Sequence, residues 1–468
     1  MGGGRNVAGP TEGGRGVWAR VANAFAWVGK VWRVRGVLWL YRLLFPLALV
    51  LALPNYLRRA LRRGGLREKF GQRFGGHPKL GRTTRAAPRI WLQAVSVGEV
   101  LAIGPLVETL KQDGVEIYLT TTTSTGYRVA RDRYLNQVIG LGYFPVDWWP
   151  FSARAWRRIR PDLVILTEGE RWPEHLFQAK RRGVPVIAIN ARLSDRSFRR
   201  MKFFGPLGRM LLGGITRLLP SSTQDEARFR ELGVPDASVT MTGNIKFDVA
   251  IPRLDEREQT TLRGELGLAP GLVLLGSSTW PGEEEAMIAA LRLTRERGVG
   301  CSLLLVPRHA ERRSELERLL GKSGLRYHFR SRGAAAGEVD VAVGDTTGEL
   351  RKLTQLADLV FIGKSLPPHG EGQTPVEAAA LGRAIMLGPG MSNFRVIARE
   401  LDEMGAAVRV TTAEELPTTI AGLARDAMRR GALAQAAAAW HVKNVGAVGR
   451  TLAVVREELA KLGASERS

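Results

Sequence analysis

A single cysteine, Cys301, occurs in the 468 residues, and it sits beside the apolar run Ser302-Leu303-Leu304-Leu305-Val306. An intrachain disulfide framework and a thiolate metal cluster are therefore excluded, and a reducing compartment suits the chain. No two aspartates stand as Asp-x-Asp, and the 6 histidines form no ligand-spaced group with acids. A bound divalent ion is not implied, and cationic side chains must stabilise any leaving phosphate. An apolar run of the roughly 20 residues needed to span a bilayer is also missing. The nearest approach, Val37 to Leu53, has 17 residues and contains Arg42 and Pro46.

Acidic residues are scarce at one end. Residues 1 to 89 hold 18 Lys or Arg against Glu12 and Glu68, a net of +16, which leaves +8 of the total +24 for the other 379 residues. The basic excess brackets the apolar run, with Arg33 and Arg35 before it and Arg58, Arg59, Arg62 and Arg63 after it. A segment that dips into a membrane surface, with Trp32 and Trp39 at headgroup level and arginines against anionic lipid, satisfies these residues better than a span. No small-x-small site follows, which argues against a cleaved signal peptide. Because the charge flanks a hydrophobic helix and lines no nucleic-acid-binding motif, nucleic acid is not expected as a partner. Residues 1–30 read as a flexible basic tail and 31–63 as the membrane-associated segment.

From residue 89 short apolar strands alternate with helical stretches. Ile90 to Val95 leads to a helix near Val100 to Lys111, Val115 to Thr121 to a helix over Thr125 to Tyr134, and Leu163 to Thr167 to a helix after Pro173; Val186 to Asn190 follows. Residues 250–268, with Pro252 and seven charged side chains, look like a connection. A second set then runs through Leu272 to Gly276, Ser302 to Val306, Val339 to Val343, Leu359 to Ile362 and Ala384 to Leu387. This alternation predicts an α/β fold of two Rossmann-like domains, over 64–249 and 269–462, each with a parallel sheet. Ligands are expected at the carboxyl ends of the strands.

The motifs lie there. Glu99 follows a strand end and Gly98 and opens a helix, so its carboxylate is placed either to take a proton or merely to favour a helix start. Glu168 and Glu170 flank Gly169. Paired acids suit a glycosidase, but residues i and i+2 of an extended chain point to opposite faces, which separates the two. Glu168 is read as the cleft residue, orienting an acceptor or Arg192, and Glu170 as structural. Arg308 ends a strand, where a guanidinium can clasp a phosphate. Gly-rich backbone around Gly363 and Gly372 feeds a helix start at Thr374-Pro375, an arrangement that offers N–H groups to an anion, and Glu377 one turn on suits ribose hydroxyls.

The stretch GDTTGELRKLTQLADLVFIGKSLPPHGEGQTPVEAAALGRAIMLGPGMSNF, from Gly344 to Phe394, resembles the donor-binding segment of the bacterial 3-deoxy-D-manno-octulosonic acid (Kdo) transferases. Similar blocks occur in family order: Ala94-Val95-Ser96-Val97-Gly98-Glu99, Thr120 to Gly126, Glu168-Gly169-Glu170-Arg171-Trp172-Pro173, Asn190-Ala191-Arg192-Leu193-Ser194, Thr242 to Asp248, Gly276 to Thr279 and Pro307-Arg308-His309. The resemblance covers roughly residues 56 to 460. It implies the two-domain GT-B architecture and transfer of Kdo from CMP-Kdo to a lipid A precursor, at the cytoplasmic face of the cell inner membrane. The site residues it implies are Glu99 as base, with Ser96, Gly98, Glu168 and Arg192 on the acceptor side. The donor would lie against Ser277, Pro307, Arg308 and His309, against Gly344, Asp345, Gly348 and Glu349, and against Gly363, Ser365, Gly372, Thr374 and Glu377. CMP-Kdo enters as substrate, and no resident cofactor is implied. A GT-B transferase for another nucleotide sugar, or a silent scaffold binding anionic glycolipid, is the alternative. Two positions depart from the family pattern: Lys364 stands where glycine is usual, and Glu371 precedes Gly372-Gln373-Thr374-Pro375, so that an acid lies near an anionic donor.

Overall fold

The computed structural model describes residues 36–51, 69–81, 87–248 and 251–465. The expected flexible tail and the flanking arginines of the apolar run lie outside them. Two compact units emerge, one from residues 1–246 with 446–468 and one from 247–445.

In the first unit, β1 (Arg89–Gln93), β2 (Glu116–Thr121), β3 (Gly140–Tyr143), β4 (Leu163–Thr167), β5 (Val186–Ala191) and β6 (Arg217–Pro220) form one parallel sheet in the order β3-β2-β1-β4-β5-β6. Every residue of β1 and of β4 is buried, as expected of strands covered by helices on both faces. Order reverses between β1 and β4, so the loops after these two strands leave in opposite directions and open a crevice at their carboxyl ends.

The second unit repeats the plan. β7 (Leu272–Thr279), β8 (Cys301–Pro307), β9 (Tyr327–Phe329), β10 (Val341–Val343), β11 (Leu359–Ile362), β12 (Ala384–Leu387) and β13 (Ala407–Arg409) run parallel in the order β13-β12-β11-β7-β8-β10-β9, with the reversal between β7 and β11.

Three expectations need correction. Residues 250–268 are not a bare connection: Asp255 accepts from the Glu258 amide at 2.8 Å while the Glu258 carboxylate accepts from the Asp255 amide, a capping box that starts the helix Glu256–Leu266. Leu262 and Leu266 of this helix enter the core of the second unit. The second domain also ends before 462. The chain leaves it at Val445, and Ala447, Val448, Leu452 and Val455 pack with Ile245 and the strands of the first unit. Arg456 to Asp113 at 2.8 Å and Arg217 to Glu458 at 3.0 Å fasten that last helix. Finally, the segment read as membrane-associated over 31–63 is not wholly given to a membrane surface, because part of it docks on the first unit.

Residues 36–51 form a helix, here α1, and among the described residues no helix is long and apolar enough to cross a membrane. One side of α1 docks on the first unit. Arg42 makes a bidentate pair with the fully buried carboxylate of Glu174, at 2.8 and 3.1 Å, and the Tyr41 hydroxyl donates to Asp147 at 2.7 Å. Burial pushes the Asp147 carboxyl up to about 7, and Tyr41 and the amides of Glu174 and His175 draw it part of the way back. The arginine that makes the run too polar to span is thus the residue that locks it down. Trp39, Leu43, Leu47 and Leu51, spaced four apart, face outward and are exposed.

Replacing Arg42 by Met should destabilise the first unit by about 3 kcal/mol, since Glu174 would stay buried without its counter-charge. Leu47→Ser, on the opposite side of the helix, should shift stability by less than about 0.5 kcal/mol. Urea denaturation of the two variants measures the contrast.

Candidate active site

The loops that part at the reversal of the first sheet carry its acids. Ser96 caps the short helix α2 (Val97–Ala102), and Ser96-Val97-Gly98-Glu99 is a capping-box sequence with Glu99 at the third helical position. Glu99 is only 7% exposed and its carboxylate gathers three donors. The Val95 amide gives to Oε2 at 2.9 Å, the Ser96 hydroxyl to Oε1 at 2.9 Å, and the Thr167 hydroxyl at the end of β4 to Oε2. Thr167 therefore joins the two diverging loops. The helix-starting reading of Glu99 is met: its carboxylate is held by its own cap beside the ends of β1 and β4.

Glu168 and Glu170 lie in a turn after β4, where the alternation of an extended chain does not apply, and the Glu168 charge is felt at Glu170. Glu168 takes a positive φ of 53° at the strand end and pairs with Lys246, with the Asn190 amide at 3.5 Å. Its side-chain partner is Lys246, not Arg192, which is exposed and meets the loop through its carbonyl, an acceptor for Arg171 at 3.0 Å. Arg171 also donates to the Gly169 carbonyl at 3.2 Å and lies over the Phe229 ring, so it pins the loop.

Glu170, read as structural, is set apart by its burial. Burial and the charge of Glu99, helped by Glu168, push its carboxyl up to about 7 against the opposing pull of the Trp172 indole and Arg171. The Trp172 N–H faces it without closing a full hydrogen bond. Sequence reading passes over Glu170 and Lys246 as site residues because neither desolvation nor a pairing 78 residues apart leaves a local pattern. The Ser-x-x-Glu cap was readable.

The second unit sorts its expected donor residues into two groups. Asp345 accepts from the Ser331 amide at 2.9 Å and hydroxyl at 2.5 Å, and Glu349 from Thr346 and from Arg330 at 3.4 Å. Both are spent on their own framework. Ser365 is fully buried, donating to the Ile362 carbonyl at 2.5 Å and accepting from the Gly388 amide at 2.9 Å. Nor are the amides of that turn open to an anion, for Glu283 accepts from Lys364 at 2.8 Å, Ser365 at 2.9 Å, Leu366 at 3.2 Å and Trp280 at 2.9 Å. Gly363 is required where it stands, since a Cβ there would lie 2.5 Å from the Ser278 carbonyl oxygen on β7. Gly344 and Gly372 likewise sit against neighbouring chain, and Gly348 has a φ of 89°. These glycines shape the loops.

Other expected groups remain open. Arg308 and His309 follow Pro307 at the end of β8 and are exposed, and Arg308 has no ion pair or side-chain hydrogen bond among the described residues. Ser277 lies at the neighbouring strand end, buried. Thr374 accepts from the Val376 amide at 3.2 Å to start the helix Val376–Ala380. Glu377 has Arg351 at 3.7 Å and a second carboxylate oxygen, Oε2, without a protein partner. That helix is only 5 residues long, so the expected dipole contribution is small.

Two parallel α/β units, each with polar side chains at the strand ends where its order reverses, have the layout of the GT-B fold. A glycosyltransferase from Rickettsia africae superposes with a TM-score of 0.55 at 13% identity, covering 80% of this chain and 99% of its own. The sequence relatives narrow the class. A family model described as 3-deoxy-D-manno-octulosonic-acid transferase (kdotransferase) matches residues 68–249. The 3-deoxy-D-manno-octulosonic acid transferase of Bordetella pertussis is 35% identical over 413 residues, 86% of this chain and 95% of the relative. That of Haemophilus influenzae is 31% identical over 404 residues, 84% and 92% of the two chains. The chain belongs to the 3-deoxy-D-manno-octulosonic acid transferase family and is an enzyme, a glycosyltransferase.

The raised carboxyl of Glu170 has a consequence for stability. A carboxyl near 4.5 in the unfolded chain and about 7 in the folded one binds a proton preferentially in the fold. Its stabilisation is complete below about 4.5 and is lost as pH rises through about 7. Wild-type unfolding free energy should therefore fall between pH 4.5 and 7.5 more steeply than that of Glu170→Gln. The gap should be on the order of 2 kcal/mol, less than the full shift allows because water reaches part of the side chain. Asp147 adds a parallel slope common to both proteins. Denaturant titrations across this range read the difference.

Proposed function

We propose that the enzyme transfers Kdo from CMP-Kdo to a hydroxyl of a lipid A precursor, with Glu99 as general base. The observation that carries the reading is the Glu99 carboxylate, oriented by Val95, Ser96 and Thr167 at the crevice of the first sheet and backed by Glu170. As the acceptor oxygen bonds to the anomeric carbon, its proton passes to Glu99 and the bond from that carbon to the CMP phosphate breaks. The donor belongs to the second unit in this reading, with Arg308 left free to meet the phosphate of departing CMP and Glu377 to accept from ribose. A guanidinium aimed at a developing phosphate charge supplies the stabilisation that transfer needs, with no resident cofactor.

The exposed stripe of α1 suits a membrane surface. Trp39, Leu43, Leu47 and Leu51, with Leu40, Leu44 and Val50 beside them, offer an exposed apolar face, and the arginines that flank the run in the sequence suit anionic headgroups. Because the opposite side of α1 is bolted to Asp147 and Glu174, the helix would hold the first unit at the bilayer in a fixed attitude. A place at the cytoplasmic face of the inner membrane, where phosphorylated glycolipid is met, follows from this reading.

Mass spectrometry of the glycolipid formed from CMP-Kdo and a tetraacylated precursor tests donor and acceptor together, with addition of one or more Kdo masses expected. Glu99→Gln should keep the fold and lower turnover by roughly 10²- to 10⁴-fold; near wild-type turnover removes Glu99 as the base. For the membrane contact, Leu43, Leu47 and Leu51 should be changed to Gln together, since truncating α1 would strip Glu174 of its partner. The triple variant should melt like wild type, leave vesicles of phosphatidylglycerol and phosphatidylethanolamine, and show a raised apparent KM for micellar acceptor. Unaltered sedimentation would take α1 off the membrane.

A further inference from the structure

Lys364 stands immediately beyond β11, at the point where the order of the second sheet reverses, and the loop after β7 on the other side of that reversal carries Trp280. The Lys364 ammonium lies 4.4 Å from the centroid of the Trp280 ring. His309, after β8, packs edge-on to the same indole at 5.4 Å, and His369 lies 5.5 Å from it. Three loops from adjacent strand ends thus meet around one aromatic face, where ligands of such sheets bind. The Trp280 indole N–H is buried and has no acceptor.

The backbone at Lys364 is costly. Its φ of 58° is in the left-handed region, where a side chain is strained and glycine is not. The structural duty of the position, donation of its amide to Glu283 at 2.8 Å, needs no side chain at all. The ammonium's charged partner is Glu371, at 3.3 Å, whose carboxylate is about half exposed. With the Lys364 side chain 20% exposed and the Glu371 carboxylate open to water, the pair contributes modestly to stability and its outer carboxylate can be exchanged. It does not account for a lysine retained against backbone strain, and strain kept at a strand end points to function.

We propose that Lys364 is a specificity-determining contact of this chain for an anionic group of the donor, with Glu371 as the internal anion that the substrate displaces. The Trp280 face keeps the ammonium positioned over the crevice in the interval. The two departures from the family pattern then act as one device: Glu371 neutralises Lys364 when the site is empty and turns outward when it is filled. The shared chemistry is an oxyanion, supplied either by the phosphate of CMP or by the carboxylate of the transferred sugar acid. The proposal rests on the reading that the second unit holds CMP-Kdo.

The test uses the full-length enzyme and the variants K364M, which keeps the length and the strained backbone, K364G, which removes both, and E371Q. KM for CMP-Kdo should rise about tenfold in K364M and K364G, with kcat changing less, and should fall severalfold in E371Q because the ammonium is released. K364G should melt no lower than wild type, which a structural lysine would not allow. Calorimetric binding of CMP separates the sources: weakened CMP binding in K364M assigns the phosphate, and unchanged CMP binding with a raised KM for CMP-Kdo assigns the sugar carboxylate. Cytidine binding should be the same in all four proteins. An unchanged KM in both lysine variants, or an E371Q variant that behaves like K364M, overturns the proposal. Wild-type enzyme that neither binds CMP nor turns over CMP-Kdo overturns the underlying reading and this one with it.

Discussion

A buried glutamate at a helix start holds each of the two crevices in shape. Reversal of strand order sends two loops apart, and nothing in a parallel sheet itself reconnects them. In the first unit Glu99 bridges the gap by taking donors from the loop after β1 and from Thr167 at the end of β4. In the second, Glu283 takes amides from the loops after both β7 and β11. Burial raises the Glu283 carboxyl above its ordinary value, and the amides of Lys364, Leu366, Ser365 and Trp280 draw it part of the way back. The same bonds fix where every neighbouring side chain can point.

Around these anchors the backbone is bent in unusual ways. Outside glycine, positive φ occurs at Lys69, Arg160, Glu168, Asn190, Ser278 and Lys364, and the last four all lie at carboxyl ends of strands. Conformations that cost energy are thus concentrated where the sheets present their chemistry. The cores beneath supply the rigidity. Strands buried on both faces, such as β8 and β11, leave the loops no freedom to relax by shifting register.

Much of the fold is legible in the chain because parallel strands buried on both faces are unbroken apolar runs. The bounds read for β4, β11 and β12 coincide with those found. β3, which carries two glycines in four residues, the four-residue β6 with Arg217 and Pro220 at its ends, and the three-residue β9 and β13 give no such run and were missed. At the site, Glu99 and Arg308 are readable from a strand end followed by a polar residue. Asp345, Glu349 and Ser365 share that local signature, yet Ser331, Arg330 and Gly388 had already claimed them. Those partners are tertiary and leave no mark in the local pattern. Lys364 and Glu371 looked like two separate irregularities until their proximity paired them.

The path of the chain between the units carries a consequence for how the protein is made. The first unit is split in sequence, and the helix Ala447–Ser465 that completes its core emerges from the ribosome only after the whole second unit. The second unit, by contrast, is continuous from Phe247 to Val445. During synthesis it can bury its apolar strands while the first unit still exposes the surface that Val448, Leu452 and Val455 will cover. Nascent first-unit surface therefore waits some 200 residues for its last partner. That interval is a window for chaperone capture or aggregation, and it is set by connectivity and not by the strength of either core.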